Sequence, residues 1–178
     1  MNIHRLKAFA APFYEGKDMM HGLWHIELVY RSVCYIVQTG RYDVNSDLLL
    51  AATYFHGFVQ THEKEIWAWL ACEGLCEEDI ERVILISRES HTSSVPESLE
   101  GKILHDAHLI EGGKVYVITK ALVTGSLRGQ TLPETIAYVE ANILGKRTCY
   151  LPEAIPLLEE ASRFTSQFLA DLKRGLAR

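Results

Sequence analysis

The stretch NSDLLLAATYFHG, from Asn45 to Gly57, decides the fold of this chain. Its apolar residues would surround a helix on nearly every side, whereas a helix at the protein surface keeps a polar face. Asn45 and Ser46 are residue types that favour the N-terminal cap of a helix. The pattern therefore predicts a central, buried helix that begins near Asn45 and ends with His56.

Further helical patterns lie on both sides of this segment. Before it, apolar residues recur at three- and four-residue steps from Lys17 to Gln38, which is typical of an amphipathic helix. After it, Ser94–Glu97 and Thr131–Glu134 each have the form of a capping box with a proline inside, and each predicts a helix start. Pro152 predicts the start of a last long helix.

The segment KVYVIT, Lys114–Thr119, has the β-branched composition of a strand. The sequence offers no second strand pattern with which it could pair, and a single strand is not stable alone. We therefore predict that it is a buried helix. The expected fold class is all-α, with seven to nine helices in one domain that spans residues 1–178.

The composition restricts the classes of function. A hydrophobic fraction of 48% in 178 residues is enough for one buried core without disulfides, and we expect the four cysteines to be reduced. The net charge of −5 argues against a dedicated nucleic-acid surface. No apolar run reaches the roughly 18 residues of a membrane helix, and no signal peptide is recognisable, so a cytoplasmic location without membrane contact is expected. A homo-oligomer remains possible.

Four residues have the chemistry of metal ligands or of their neighbours. His21 and His25 lie one turn apart on one helix face, although such a pair alone is more often found at or near the surface. His56 ends the most apolar helix and is either a hydrogen-bonded core residue or a ligand. Asp106 lies on the apolar face of its helix, where a carboxylate is costly unless it is paired or bound to a cation. Together, His25, His56 and Asp106 predict a shared metal site.

Three segments, in order, carry a family resemblance: HGLWHIELVY (residues 21–30), LLLAATYFHGF (48–58) and ESLEGKILHDAHLIEG (97–112). They resemble the HD-domain superfamily, and among its members the small bacterial HD phosphohydrolases that act on nucleotides. The resemblance runs from about Met20 to the C-terminal helix. It implies an HD-type helical bundle, with a metal-site core of about residues 20–112 and C-terminal helices of about 113–178.

The resemblance also implies roles for single residues. His25, His56 and Asp106 correspond to metal ligands, and His21 would face the pocket as a catalytic residue. Glu63 is a second catalytic candidate. It could compensate for acids that this chain lacks, and so could His62, Glu89, His91 and His108, since nothing in the sequence places any of them. The implied cofactor is a divalent cation, which lowers the pKa of a bound water and neutralises phosphate charge. Mn²⁺, Mg²⁺, Fe²⁺, Ni²⁺ and Zn²⁺ are not distinguished by this ligand set.

The chain departs from the family pattern at several acidic positions. The aspartate of the HD doublet is Gly57 here, the acid one turn later is Gln60, and the second aspartate of the family's D-A-D motif is His108. The last acid of that motif is retained as Glu111. With fewer negative charges we expect weaker metal binding, and we predict that Gly57→Asp tightens it.

The expected function is metal-dependent hydrolysis of a nucleotide or another small phosphorylated substrate. The alternative is a catalytically inactive HD-fold protein that binds a metal or a nucleotide. A di-iron oxygenase would need more acid and histidine ligands than can be assigned. Lys102 and Arg128 are candidates to contact a phosphate, and the polar segment Arg88–Ser94 is either a solvated loop or a loop that faces the substrate.

Overall fold

The computed structural model describes residues 1–91 and 94–177 of the chain. In these ranges the backbone forms nine α-helices and no β-strand, which confirms the predicted all-α class. The helices, in chain order, are α1 (Ile3–Ala10), α2 (Leu23–Gly40), α3 (Ser46–Phe55), α4 (Glu63–Cys72), α5 (Glu77–Glu89), α6 (Leu99–Ile110), α7 (Gly113–Leu127), α8 (Leu132–Asn142) and α9 (Ile155–Leu176).

Helix α3 lies at the centre of the main core, as its sequence predicts. All eight residues from Leu48 to Phe55 are buried, and the helix packs against α1, α2, α5 and α6. The Asn45 side chain accepts hydrogen bonds from the backbone N–H groups of Asp47 and Leu48. This cap satisfies two of the donors that a helix start leaves free, so both the predicted start and the burial are confirmed.

The strand-like segment Lys114–Thr119 belongs to α7 and is helical, as predicted. The predicted burial is wrong, because Ile118 is its one buried residue and Val115 is 51% exposed. Helix α7 packs against α8 and α9 around a second, smaller apolar cluster. Its buried members are Ile118, Ile136, Val139 and Leu169. Ile118 thus finds an apolar environment between helices, without a sheet.

The two predicted capping boxes have different outcomes. Thr131 and Glu134 form the box reciprocally at the start of α8, which confirms that prediction. The prediction for Ser94–Glu97 is wrong, because α6 begins only at Leu99 and its cap is Ser98. The reason is Glu89, whose carboxylate accepts the backbone N–H groups of the two residues before α6, at 2.8 and 3.2 Å.

Other helix starts also lie later than the sequence patterns suggest. Helix α2 begins at Leu23 rather than near Lys17, and α9 begins at Ile155 rather than at Pro152. All four cysteines are free thiols. None of the described helices combines the length and the apolar character required to cross a lipid bilayer. Of the polar segment 88–94, residues 92 and 93 lie outside the described ranges, so its role stays a prediction.

Candidate metal centre

Three histidines from three helices meet at one point. His25 lies in the first turn of α2, His56 directly follows α3, and His108 lies in the last turn of α6. One ring nitrogen from each lies within 4.8 Å of the other two. The ring centroids are 6.0, 5.5 and 5.2 Å apart for the pairs 25–56, 25–108 and 56–108. This geometry suits one metal ion with three protein ligands and open positions.

Two of these imidazoles are oriented through their Nδ1 atoms. Nδ1 of His56 lies 2.6 Å from the carbonyl oxygen of Thr53, so it is the protonated nitrogen and donates. Nδ1 of His25 contacts a carboxylate oxygen of Glu111, whose other oxygen accepts a hydrogen bond from Lys120 Nζ at 2.7 Å. In both rings Nε2 is left to bind an ion, and such supporting contacts are typical of histidine ligands.

The buried environment keeps the three histidines neutral. Burial is the main cause that lowers the pKa of His56, to about 4, and neighbouring His25 lowers it further. Burial also lowers the pKa of His108 well below its usual value, and that of His25 despite the opposing effect of Glu111. Neutral imidazole is the form that binds metals, so the cluster is in its ligand form at neutral pH.

Asp106 does not lie in this cluster, contrary to the prediction. It is fully buried, and its Oδ2 accepts the backbone N–H groups of Tyr150 and Leu151, both at 2.8 Å. Its Oδ1 lies 3.0 Å from Nδ1 of His105. Residues two apart on a helix point to different sides, so α6 directs position 108, not position 106, toward the other histidines. The buried carboxylate is thus explained by a structural role.

The two predicted catalytic residues have different positions. His21 lies at the cluster, with its ring centroid 6.0 Å from that of His25 and its Nδ1 2.8 Å from both carboxylate oxygens of Asp18. Glu63 does not reach the cluster. It lies in the first turn of α4, where it forms an ion pair with Arg88, and this contact holds it at the surface.

The space beside Gly57, the residue that the resemblance aligns with the aspartate of the HD doublet, is occupied by other side chains. A Cβ atom on Gly57 would lie 2.7 Å from Oη of Tyr14 and 3.0 Å from Nζ of Lys17. Tyr14 donates to the carbonyl oxygen of Tyr54 at 2.8 Å, and Lys17 donates to that of Gly57 at 2.6 Å. A side chain at position 57 would therefore meet a phenol and an ammonium group.

Two cavities adjoin the histidines and share His21, His91 and His108 in their walls. The smaller, of about 300 Å³, lies on the side of Lys17 and Gly57. The larger, of about 490 Å³, lies between α6, α7 and α8. Its wall includes three cationic residues, Lys120, Arg128 and Arg147. Arg128 thus lies where it can meet a ligand, whereas Lys102 lines neither of these cavities.

The sequence interpretation does not assign His108 as a ligand; it treats this residue as a lost aspartate and names it only among several residues that could compensate for the missing acids, because nothing in the sequence places it at the site. Histidine is itself a common metal ligand. Its presence at a position that the resemblance aligns with a carboxylate is therefore a signal in the sequence that could have identified His108. Lys120 and Arg147 are also missed. Neither belongs to a recognisable motif, and only the packing of α7 and of the segment after α8 brings them to the cavity.

The fold is similar to solved structures of bacterial proteins. Bacillus subtilis YpgQ in complex with ADP superposes with a TM-score of 0.77 at 20% identity, over 98% of this chain and 97% of YpgQ. The Lin1889 protein of Listeria innocua gives 0.75 at 18% identity, over 99% and 98% of the two chains. A protein of Lactobacillus plantarum gives 0.74 at 17%, over 98% and 96%. No family model and no curated protein sequence matches the chain. At these identities the similarity shows the fold alone.

Proposed function

We propose that this protein is a metal-dependent phosphohydrolase that acts on a nucleotide or another small phosphorylated substrate. The observation that carries the proposal is the convergence of His25, His56 and His108, neutral and from three helices, beside a cavity with cationic walls. The resemblance of three segments to HD phosphohydrolases supports it, as does the ADP bound to YpgQ, a protein of similar fold. A cytoplasmic location, where thiols stay reduced, is part of the proposal.

The ligand set favours one group of metal ions. Imidazole ligands suit zinc, copper, iron and nickel, whereas carboxylate, carbonyl and water ligands suit magnesium and manganese. The cluster offers three imidazoles, and Glu111 contacts His25 rather than standing as a further ligand in the group. We therefore expect the site to prefer ions such as Zn²⁺ over Mg²⁺ and Mn²⁺.

The surrounding residues have distinct tasks in this proposal. A bound ion supplies a water of lowered pKa and neutralises charge on a phosphate oxygen. Glu111 and the Thr53 carbonyl orient the imidazoles of His25 and His56. His21, held by Asp18 through Nδ1, has Nε2 available to donate or accept a proton at the edge of the site, as a general acid or base does.

Metal analysis and an activity assay test this proposal together. The protein is stripped with EDTA, titrated calorimetrically with Zn²⁺, Ni²⁺ and Mn²⁺, and then assayed for phosphate or pyrophosphate release from a nucleotide panel. We expect one ion per chain and metal-dependent turnover, both lost in His108→Ala and both retained in His4→Ala, a variant of an exposed histidine. A protein that binds no ion with this stoichiometry would contradict the proposal.

The second candidate function is a binding protein without turnover. The filled space beside Gly57 favours it, because Tyr14 and Lys17 replace a family carboxylate with a hydroxyl and a positive charge. The same assay distinguishes the two candidates. A metal-loaded protein that binds nucleotides but releases no product from any of them would be such a binding protein.

A further inference from the structure

The larger cavity is lined by buried polar groups that lack partners. The hydroxyls of Tyr116 and Thr124 and Nδ1 of His108 are inaccessible and have no hydrogen-bond partner among the described residues. All three residues line this one cavity. Buried polar groups in native proteins are nearly always paired, and an unpaired one is costly. A ligand that supplies hydrogen-bond acceptors would remove this cost.

One face of α7 forms a wall of this cavity. Tyr116, Lys120 and Thr124 follow one another at four-residue steps, which places them in a row along the helix. Arg128, four residues further on and directly after the end of α7, continues this row, and all four residues line the cavity. Lys120 is partly neutralised by its ion pair with Glu111. The row thus lines one space with two residues that carry buried hydroxyls and two cationic residues.

Arg147 contributes a further cation from the segment between α8 and α9. It is partly buried and lines the cavity, and burial lowers the pKa of its guanidinium. Within residues 1–91 and 94–177 it has neither an ion pair nor a hydrogen bond. Glu111 of the same cavity acts on the charge of Arg147 at longer range, but no acid in the described parts of the chain contacts it. A desolvated cation without a direct partner is unfavourable, and guanidinium is the group best suited to a bidentate contact with phosphate.

We propose that this cavity, which we call the anion cavity, binds a phosphate-class anion through Arg147, Arg128, Thr124 and Tyr116. The site works without the metal ion. For the hydrolase proposed above, on which this step rests, it follows that the preferred substrate carries a second anionic group apart from the phosphate at the histidines. Arg147 and Thr124 then determine specificity, because a ligand with a single phosphate leaves them unpaired.

Binding of inorganic pyrophosphate to the metal-free protein tests the anion cavity directly. We expect saturable binding, about tenfold or more weaker in Arg147→Gln and unchanged in Lys146→Gln, which removes a neighbouring exposed charge outside the cavity. Zinc affinity should be unchanged in both variants. Since neither metal nor turnover enters the measurement, its outcome is independent of the proposed hydrolase activity. Equal binding by the wild type and Arg147→Gln would overturn the proposal.

A second variant removes a hydroxyl at nearly constant shape. Thr124→Val deletes a hydroxyl without a partner, so we expect a higher melting temperature for the ligand-free protein and weaker pyrophosphate binding. Thr119→Val is the matched control on the same helix, because the Thr119 hydroxyl has a partner, the carbonyl oxygen of Val115 at 3.0 Å. It should leave pyrophosphate binding unchanged. If Thr124→Val binds pyrophosphate as tightly as the wild type, the cavity has no such role.

Discussion

At the scale of single residues, Asp106 and His108 show how two positions of one helix divide structural and chemical roles. Asp106 accepts two backbone N–H groups of the segment before α9, and His108 joins His25 and His56. A sequence pattern shows that both positions are polar within an apolar helix. Which of them faces the other histidines depends on how α6 is rotated against α2, and that rotation is set by packing.

We predict that Asp106→Asn lowers the stability of the protein but leaves its zinc affinity unchanged. The carboxylate accepts two hydrogen bonds in a fully buried place, and a hydrogen bond to a charged group contributes about 1.5–3 kcal/mol. His108→Ala should do the opposite and lose zinc at nearly unchanged stability. Urea denaturation and calorimetry on both variants measure this. Loss of zinc binding in a stable Asp106→Asn protein would mean that Asp106 is a metal ligand.

A further prediction at this scale concerns Gly57→Asp, for which the sequence predicts tighter metal binding. The structure gives a different expectation, because the new Cβ would meet Tyr14 and Lys17 and the carboxylate would pair with the ammonium of Lys17. Forcing atoms into a packed site typically costs about 1–3 kcal/mol. Gly57→Ala is the matched control, with the same Cβ and no charge. We expect both variants to have lower melting temperatures than the wild type and neither to bind zinc more tightly. A gain in zinc affinity for Gly57→Asp alone would instead support the expectation from the sequence that the new carboxylate binds the ion.

At the scale of helices, the patterns that could be predicted are those that depend on neighbours in sequence. The all-round apolar composition of α3 and the Thr131–Glu134 box are local features, and the structure confirms both. The start of α6 is different. It depends on Glu89, a residue of α5 that binds the backbone before α6, and no periodicity in the α6 sequence reports that contact. The four-residue spacing of the cavity residues on α7 can likewise be seen in the sequence. That these residues line a cavity depends on the segment that packs opposite them.

Thr131→Ala should destabilise the smaller apolar cluster through α8. The Thr131 side chain caps the helix by accepting the Glu134 backbone N–H, and loss of such a cap costs about 1 kcal/mol. We expect a lower free energy of unfolding and faster amide hydrogen exchange in α8, with exchange in α3 unchanged. Exchange that rises equally in both helices would show that the two apolar clusters unfold together.

At the scale of the whole molecule, the buried histidines make stability depend on pH. Their folded pKa values lie below the unfolded value near 6.5, that of His56 at about 4. Between these values the unfolded chain binds more protons, so the free energy of unfolding falls as pH decreases from 6.5 to about 4. Each histidine contributes at most about 1.4 kcal/mol per pH unit.

Melting temperatures of the metal-free protein between pH 7 and pH 4 measure this fall. His56→Gln should flatten the profile, and the exposed-residue variant His4→Ala should leave it as in the wild type. Stability that is constant over this range would mean that the histidines take up protons in the folded protein as readily as in the unfolded chain, which would contradict the lowered pKa values.

The contact between Asp106 and the backbone at Tyr150 and Leu151 has a consequence for cooperativity. It connects α6, which carries His108, to the segment that carries Arg147. An ion bound at the histidines and an anion bound in the cavity would therefore both restrain the same pair of connected segments. Each ligand should therefore change the affinity for the other, and thermodynamic reciprocity makes the two factors equal. Asp106→Asn weakens this connection. We therefore expect the factor by which each ligand changes the affinity for the other to fall toward one, although each ligand alone still binds.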